Sequence, residues 1–253
     1  CDLPANATCT YSKDQDDLER AHAILFRARR IRDPTDFPEY RRASQKWLFM
    51  ESEPPPKVWS RLRDPAIESM RYVFNLTSTY SPDSDVPVRE RLKCSVDEEL
   101  YEKYIDTDFT GTKQRPIAWF VSHCQTSSKR EDYVRELKRH VPVDVYGGCS
   151  DLSCGSQSNS MNSANYECDA MLNSTYKFYL SFENSLCENY VTEKLWRSLI
   201  RHINIVPVVL GHENYSELLP NGSFVDAAQF RSPEKLANFL KELDMNDELY
   251  NSY

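Results

Sequence analysis

Alternating strand-like and helix-like segments predict an α/β fold whose parallel sheets are covered by helices on both faces. Three observations carry that prediction. Short runs rich in β-branched and aromatic residues recur between turn residues, and apolar residues at helical spacing fill several of the intervals. The composition is 40% hydrophobic and 12% aromatic over 253 residues, which is that of a globular chain with one large domain or two small ones.

The elements follow in order. In the first half, 23–26 (AILF), 47–50 (WLFM) and 72–76 (YVFNL) read as buried strands between proline-rich and charged connections. In the second half, 117–122 (IAWFVS) is a strand, 130–139 carries Tyr133, Val134 and Leu137 at helical spacing, and 143–146 (VDVY) returns as a strand. An irregular cysteine- and serine-rich stretch comes next. It leads into a strand at 178–182, a helix at 192–201 with Leu195, Trp196, Leu199 and Ile200 inward, and a strand at 205–210. The last helix is marked by Ser232 as its cap, Pro233 at its first position, and the stripe Leu236, Phe239, Leu240 and Leu243. The segment 109–116, with Gly111 and Pro116, reads as a hinge between a domain at 1–111 and another at 112–253. Two Rossmann-like halves facing across a cleft would bring ligand groups from both, at the carboxyl ends of their strands.

Composition removes several function classes. The six glycines (Gly111, Gly147, Gly148, Gly155, Gly211 and Gly222) form neither G-x-G-x-x-G nor a P-loop, which excludes a glycine-rich phosphate cradle. A net charge of −8 argues against nucleic acid as a partner, because phosphate binding needs clustered cations. The basic stretch Arg27, Arg29, Arg30, Arg32, Arg41 and Arg42 reads as a solvated surface laced with ion pairs to Asp33, Asp36 and Glu39.

Cysteines and sequons point to a compartment. Cys1, Cys9, Cys94, Cys124, Cys149, Cys154, Cys168 and Cys187 are even in number and contain no C-x-x-C pair. N-x-S/T sequons stand at Asn6, Asn75, Asn173, Asn214 and Asn221 as expected glycosylation sites. Together they indicate a lumenal or extracellular chain with disulfides, whose pairing the sequence leaves open. A zinc cluster of Cys149, Cys154, Cys168 and Cys187 with His140 is the less favoured reading. No run of about 18 apolar residues occurs. Without an initiator methionine or signal pattern, the chain is expected to be part of a longer precursor, touching membrane only through an anchor outside it.

Chemistry-bearing residues are densest from Tyr179 to Lys194. Here a strand ends in Glu183-Asn184-Ser185, and Tyr190-Val-Thr-Glu193-Lys194 opens a helix. The free N–H groups of a helix start, together with Lys194, suit a phosphate, and Glu193 suits sugar hydroxyls. Tyr179 and Tyr190 suit a base or ribose. Ordinary capping is the alternative for an acidic first turn.

The run KFYLSFENSLCENYVTEKLWRSLIRHINIVPVVLG at 177–211 resembles the signature segment of the α1,3-fucosyltransferases, in which F-Y-L-S-F-E-N-S, Y-V-T-E-K and P-V-V-L-G recur in order. Collinear likenesses extend it: QKWLFMESEPPP at 45–56, FNLTSTYSPDSD at 74–85, and WFVSHCQTSSKREDYVREL at 119–137. The resemblance implies a GT-B fold and inverting transfer of L-fucose from GDP-β-L-fucose. The acceptor would be the 3-hydroxyl of N-acetylglucosamine in a glycan, either an N-glycan core or a Lewis-type antenna. By motif, Tyr179, Asn184, Tyr190, Glu193 and Lys194 would contact the donor, with Arg130 as a second cation at the diphosphate and Ser122 and His123 on the guanosine side. Glu53 would be the general base, with Glu51 two residues earlier as its rival. Asp83 and Asp85 spell D-x-D, read here as a structural turn rather than a metal site. No cofactor is required on this reading, and a divalent metal at most stimulates the reaction. The partners implied are GDP-fucose and a glycan or glycoprotein acceptor, and the compartment is the Golgi lumen.

Departures from the family pattern are local. Val86-Pro-Val-Arg-Glu90 stands where V-P-Y-G is usual, and His123 where asparagine is. Relatives continue into a cysteine-bearing tail, so partners for Cys1 or Cys9 are expected beyond Tyr253. Two competing functions are a transferase of fucose to protein hydroxyls of a folded domain and a catalytically inactive lumenal module that binds glycan or nucleotide.

Overall fold

The computed structural model describes residues 8–59, 68–88, 102, 104–154 and 166–253. By compactness the chain divides into two units, Cys1–Val88 and Arg89–Tyr253.

The first unit is built on a parallel sheet of β1 (Ala23–Arg27), β2 (Lys46–Glu51) and β3 (Leu76–Thr79), in the order β1-β2-β3. Phe26, Phe37, Trp47 and Phe74 pack with ring centroids 4.9 to 5.7 Å apart, and Arg41 lies 4.4 Å above Trp47. A short helix, α1 (Pro55–Val58), follows β2. The third strand begins four residues later than its apolar run suggests. Tyr72, at φ 65° and 91% exposed, turns the chain outward. Pairing then resumes at Asn75, whose N–H donates to the Trp47 carbonyl at 2.9 Å and whose side-chain oxygen accepts from the Trp47 N–H at 2.9 Å.

Most of the basic stretch is absorbed locally. Arg32 pairs with Asp36 at 2.8 Å, while Arg42 donates to the Arg20 and Ala21 carbonyls. Asp33 instead caps a short turn by accepting from the Thr35 N–H.

The second unit holds a five-stranded parallel sheet: β4 (Arg115–Phe120), β5 (Val143–Tyr146), β6 (Tyr176–Phe182), β7 (Val206–Leu210) and β8 (Val225–Asp226), ordered β5-β4-β6-β7-β8. Its helices are α2 (Arg130–Leu137), α3 (Tyr166–Thr175), α4 (Glu193–Ile200), α5 (Tyr215–Leu218), α6 (Pro233–Met245) and α7 (Asp247–Asn251). Alternation along the strands sends side chains to both faces. Ile117, Trp119, Phe178, Leu180, Phe182 and Val208 meet α2 and α6. On the opposite face, Ala118, Phe120 and Tyr179 pack with Cys168 and Leu172 of α3, and Val209 with Leu195 and Trp196 of α4. Ser232 caps α6 as expected, accepting from the Lys235 N–H, and Leu236, Leu240 and Leu243 are fully buried.

Two element readings change. The stretch taken as irregular contains α3, whose narrow stripe of Cys168 and Leu172 is supplemented inward by the charged Asp169. In α4 Ile200 is 47% exposed, and Lys194 and Ser198 occupy inward positions. The segment expected as a hinge is anchored to the second unit. Phe109 N–H donates to the Asn251 side chain at 3.0 Å, and the Lys113 ammonium donates to the carbonyls of Asn173, Tyr176 and Asn204.

The expected disulfides form between Cys124 and Cys149 and between Cys154 and Cys168. Three of the four cysteines weighed as zinc ligands are thereby committed. Cys9 and Cys187 form no disulfide among the described residues, and Cys1 and Cys94 lie outside them. Among the described residues, no helix is long and apolar enough to cross a membrane.

Candidate functional site

Strand order locates the site. After β4 the chain first adds β5 on one side, then crosses to lay β6 on the other, so the order is the doubly wound 2-1-3-4-5. At such a switch point the loops leaving the two central strands diverge and open a crevice at their carboxyl ends. The loop after β4 runs through Ser122 and His123 to Arg130, and the loop after β6 runs through Asn184 and Tyr190 to Glu193 and Lys194. Topology therefore unites two sets of predicted residues that lie some fifty positions apart.

The first loop is held at both ends. Gly147 follows β5 at φ +107°, and a Cβ there would sit 2.6 Å from the Val121 carbonyl oxygen, so only glycine allows this approach. The Cys124–Cys149 disulfide closes the same corner. Further on, Ser128 N–H donates to the Asn184 carbonyl at 3.1 Å, Ser128 Oγ to the Glu183 carbonyl at 2.8 Å, and the Ser127 and Ser185 hydroxyls meet at 2.7 Å. The run of small polar residues thus stitches one loop to the other. Ser122 and His123 remain at the surface beside it.

Arg130 opens α2 and is 3% exposed. Its guanidinium donates to the main-chain carbonyls of Phe182 and, at 3.4 Å, His123, and lies 5.7 Å from the Trp119 ring. Burial lowers its pKa, with Glu183 the main opposing charge.

The start of α4 is a compact charged network. Thr192 is the N-cap. Its N–H donates to Glu183 Oε1 at 2.8 Å, and its hydroxyl lies 2.9 Å from Glu183 Oε2 and accepts from Lys194 Nζ at 2.7 Å. Lys194 Nζ also reaches Glu193 Oε1 at 3.1 Å and Glu183 Oε2 at 3.4 Å. Glu183 is 1% exposed and Lys194 7%, whereas the Glu193 side chain is 50% exposed. Burial raises the Glu183 carboxyl, against the pull of Lys194 and the Thr192 hydrogen bonds. Burial alone would lower the Lys194 ammonium, but Glu183 and Glu193 outweigh it and hold its pKa above the ordinary lysine value.

Buried polar atoms normally have partners, so those that lack one mark places of interest. Seven such side-chain atoms occur among the described residues, and three belong to residues predicted for the donor site: Arg130 Nε, Tyr179 Oη and Asn184 Oδ1. Tyr179 is buried edge-on to Phe120 at 5.8 Å, and burial raises its phenol pKa well above the usual value. Tyr190 is buried in the loop before α4. Glu183, Thr192 and the serines 127 and 128 are the participants that sequence reasoning left without roles. Glu183 and Thr192 did carry a signal, as the acid inside F-E-N-S and the threonine of Y-V-T-E-K.

In the first unit, Glu51 ends β2 with its carboxylate buried. It accepts from the N–H groups of Arg29, Ser52 and Glu53 at 3.0 to 3.1 Å, and Arg29 Nη2 lies 3.3 Å away. Glu53 is more open, pairing with Lys57 at 2.9 Å and Arg29 at 3.7 Å. Asp85 takes the turn role expected of it: its Oδ2 accepts from the Thr77 N–H at 2.8 Å and hydroxyl at 3.0 Å. Four sequon asparagines, Asn75, Asn173, Asn214 and Asn221, are exposed, and Asn6 lies outside the described residues.

Comparison with known proteins covers both units. Residues 110–253 match the C-terminal domain of glycosyltransferase family 10 (fucosyltransferase), and residues 1–90 match the fucosyltransferase N-terminal domain. The chain is 38% identical over 232 residues to alpha-(1,3)-fucosyltransferase C of Drosophila melanogaster, covering 85% of this chain and 51% of that protein. It is 34% identical over 250 residues to 4-galactosyl-N-acetylglucosaminide 3-alpha-L-fucosyltransferase 9 of Mus musculus, covering 97% of this chain and 63% of that one. It thus spans roughly half to two thirds of the length of these two relatives. An α1,3-fucosyltransferase crystallised with GDP-fucose shares the GT-B fold at a TM-score of 0.55 and 17% identity, covering 83% of this chain and 66% of that one. With both units matched in order, the chain belongs to glycosyltransferase family 10, the fucosyltransferases.

Proposed function

We propose that this chain transfers L-fucose from GDP-β-L-fucose, with inversion, to the 3-hydroxyl of N-acetylglucosamine in a glycan, within the Golgi lumen. The observation that carries this reading is the switch-point crevice, where Lys194 and Arg130 stand buried beside polar atoms that have no partner within the described protein. A diphosphate needs concentrated positive charge, and the sparse glycines leave that task to a helix start and two cations. Lys194 and Arg130 hold the diphosphate, and as the sugar–phosphate bond breaks they stabilise the charge developing on GDP. Asn184, Glu193, Tyr190 and Tyr179 orient fucose and ribose, while Ser122 and His123 line the guanosine side.

Inversion requires the acceptor oxygen to attack the anomeric carbon from the side opposite the diphosphate, losing its proton to a general base. Glu53 is the proposed base. The rival Glu51 has its oxygens committed to three backbone N–H groups and Arg29, whereas Glu53 is the more open carboxylate. No metal step is needed on this reading.

The test is incubation of the full lumenal protein with labelled GDP-fucose and a panel of glycans and folded protein domains. Transfer to N-acetylglucosamine-bearing glycans is expected. Label on peptide hydroxyls alone, or GDP binding without turnover on any acceptor, would overturn the assignment.

A further inference from the structure

Lys194 is an improbable cation on position alone. It lies inside a helix start, where N–H dipoles repel positive charge and burial favours the neutral amine. Three charged groups face it: Glu183 from the end of β6, Glu193 on its own helix, and Arg130 from α2. Arg130 opposes the ammonium. Glu193 is half exposed and is the carboxylate that an incoming diphosphate would displace from Lys194 Nζ. That leaves Glu183, whose buried carboxylate is tied to the Thr192 N–H and hydroxyl and cannot swing away without stripping both of their acceptor. Thr192 passes the restraint on, since the hydroxyl held by Glu183 accepts from Lys194 Nζ at 2.7 Å.

We propose that Glu183 is the positioning residue of the donor site, fixing Thr192 at the head of α4 and holding Lys194 over it as a permanent cation. This role rests on the donor-site reading above and adds a division of labour between the carboxylates. Glu193 yields to the ligand, and Glu183 stays. The consequence is affinity for the diphosphate that persists into alkaline solution, where a buried lysine without a fixed counter-charge would lose its proton.

Two measurements test this on the full lumenal protein. The first follows Lys194 titration by NMR of 13Cε-labelled lysine, with Lys194→Arg assigning the signal, and the second follows GDP affinity by calorimetry at pH 6.5 and pH 9. In Glu183→Gln the Lys194 midpoint is expected to fall by a unit or more, roughly the effect of losing one close opposite charge. GDP affinity relative to wild type at the same pH should be within about threefold at pH 6.5 and lower by about tenfold at pH 9. Adding Lys194→Arg to Glu183→Gln should abolish the pH dependence, because arginine keeps its proton.

An unchanged Lys194 midpoint in Glu183→Gln overturns the proposal, as does an equal loss of affinity at both pH values. Should that variant fail to fold, Thr192→Val decides the matter: the midpoint should hold while affinity falls by about tenfold at both pH values, and wild-type affinity would overturn the role. If wild type binds no GDP, the donor-site reading fails separately, and the Lys194 midpoint still decides what Glu183 does.

Discussion

Lys194 and Glu53 would act on different sides of the reaction, and that separation makes them testable. Lys194→Ala removes the buried charge proposed to hold the diphosphate, so GDP affinity should fall by about 10²-fold, read by calorimetry. Glu53→Gln leaves the donor site intact, so GDP affinity should hold while transfer falls by about 10² to 10⁴-fold in single-turnover assays. Glu51→Gln should instead lower thermal stability, because the lost charge is the one that ties Arg29 and the chain after β2 together. Motif reading picked out Lys194, Arg130 and Glu193 directly. It passed over Glu183, since an acid inside a motif gives no sign that its partners are a cap threonine and a lysine several residues onward.

Helices α3 and α4 are joined by one buried acid. Asp169 accepts from Arg197 Nε at 2.8 Å and pairs with Arg201 across the same interface, while Arg197 lies 5.2 Å from the Phe120 ring. Both carboxylate and Arg197 side chains are buried, so breaking the pair strands a charge. Asp169→Asn should cost about 3 to 5 kcal/mol, seen as a lowered urea midpoint, with weaker GDP binding because α4 carries Lys194. Ser232→Ala, at the head of α6, should cost only about 1 kcal/mol and leave GDP affinity unchanged. Capping and the apolar stripe made α6 plain from sequence. By contrast α3 was hidden, because its inward face uses Asp169, and charged residues at core positions defeat a reading based on apolar spacing.

For the molecule as a whole, disulfides and metal independence are the properties to measure. The Cys154–Cys168 bridge joins the chain after β5 to α3 across a sequence separation of 14, so the double Cys→Ser variant should lose about 3 kcal/mol of stability. Reduced wild type should shift in the same direction. Transfer should survive a chelator, because the proposed diphosphate contacts are Lys194, Arg130 and a helix start; full loss restored by manganese would contradict that expectation.

Sequence by itself determined the order of the longer strands and of three helices, the disulfide-bearing composition and the identity of the motifs. These depend on local periodicity and on residues a few positions apart, which the chain carries wherever it folds. Tertiary structure decided which motifs meet. Strand order β5-β4-β6-β7-β8 places the crossover between β4 and β6, and only that crossover puts Arg130 against the Phe182 carbonyl and seats Ser128 on Glu183. It also decided which charges are buried. A Lys194 that the sequence places only as an added charge at a helix start becomes an inward cation, because Glu183 after β6 and Thr192 at the head of α4 meet it there.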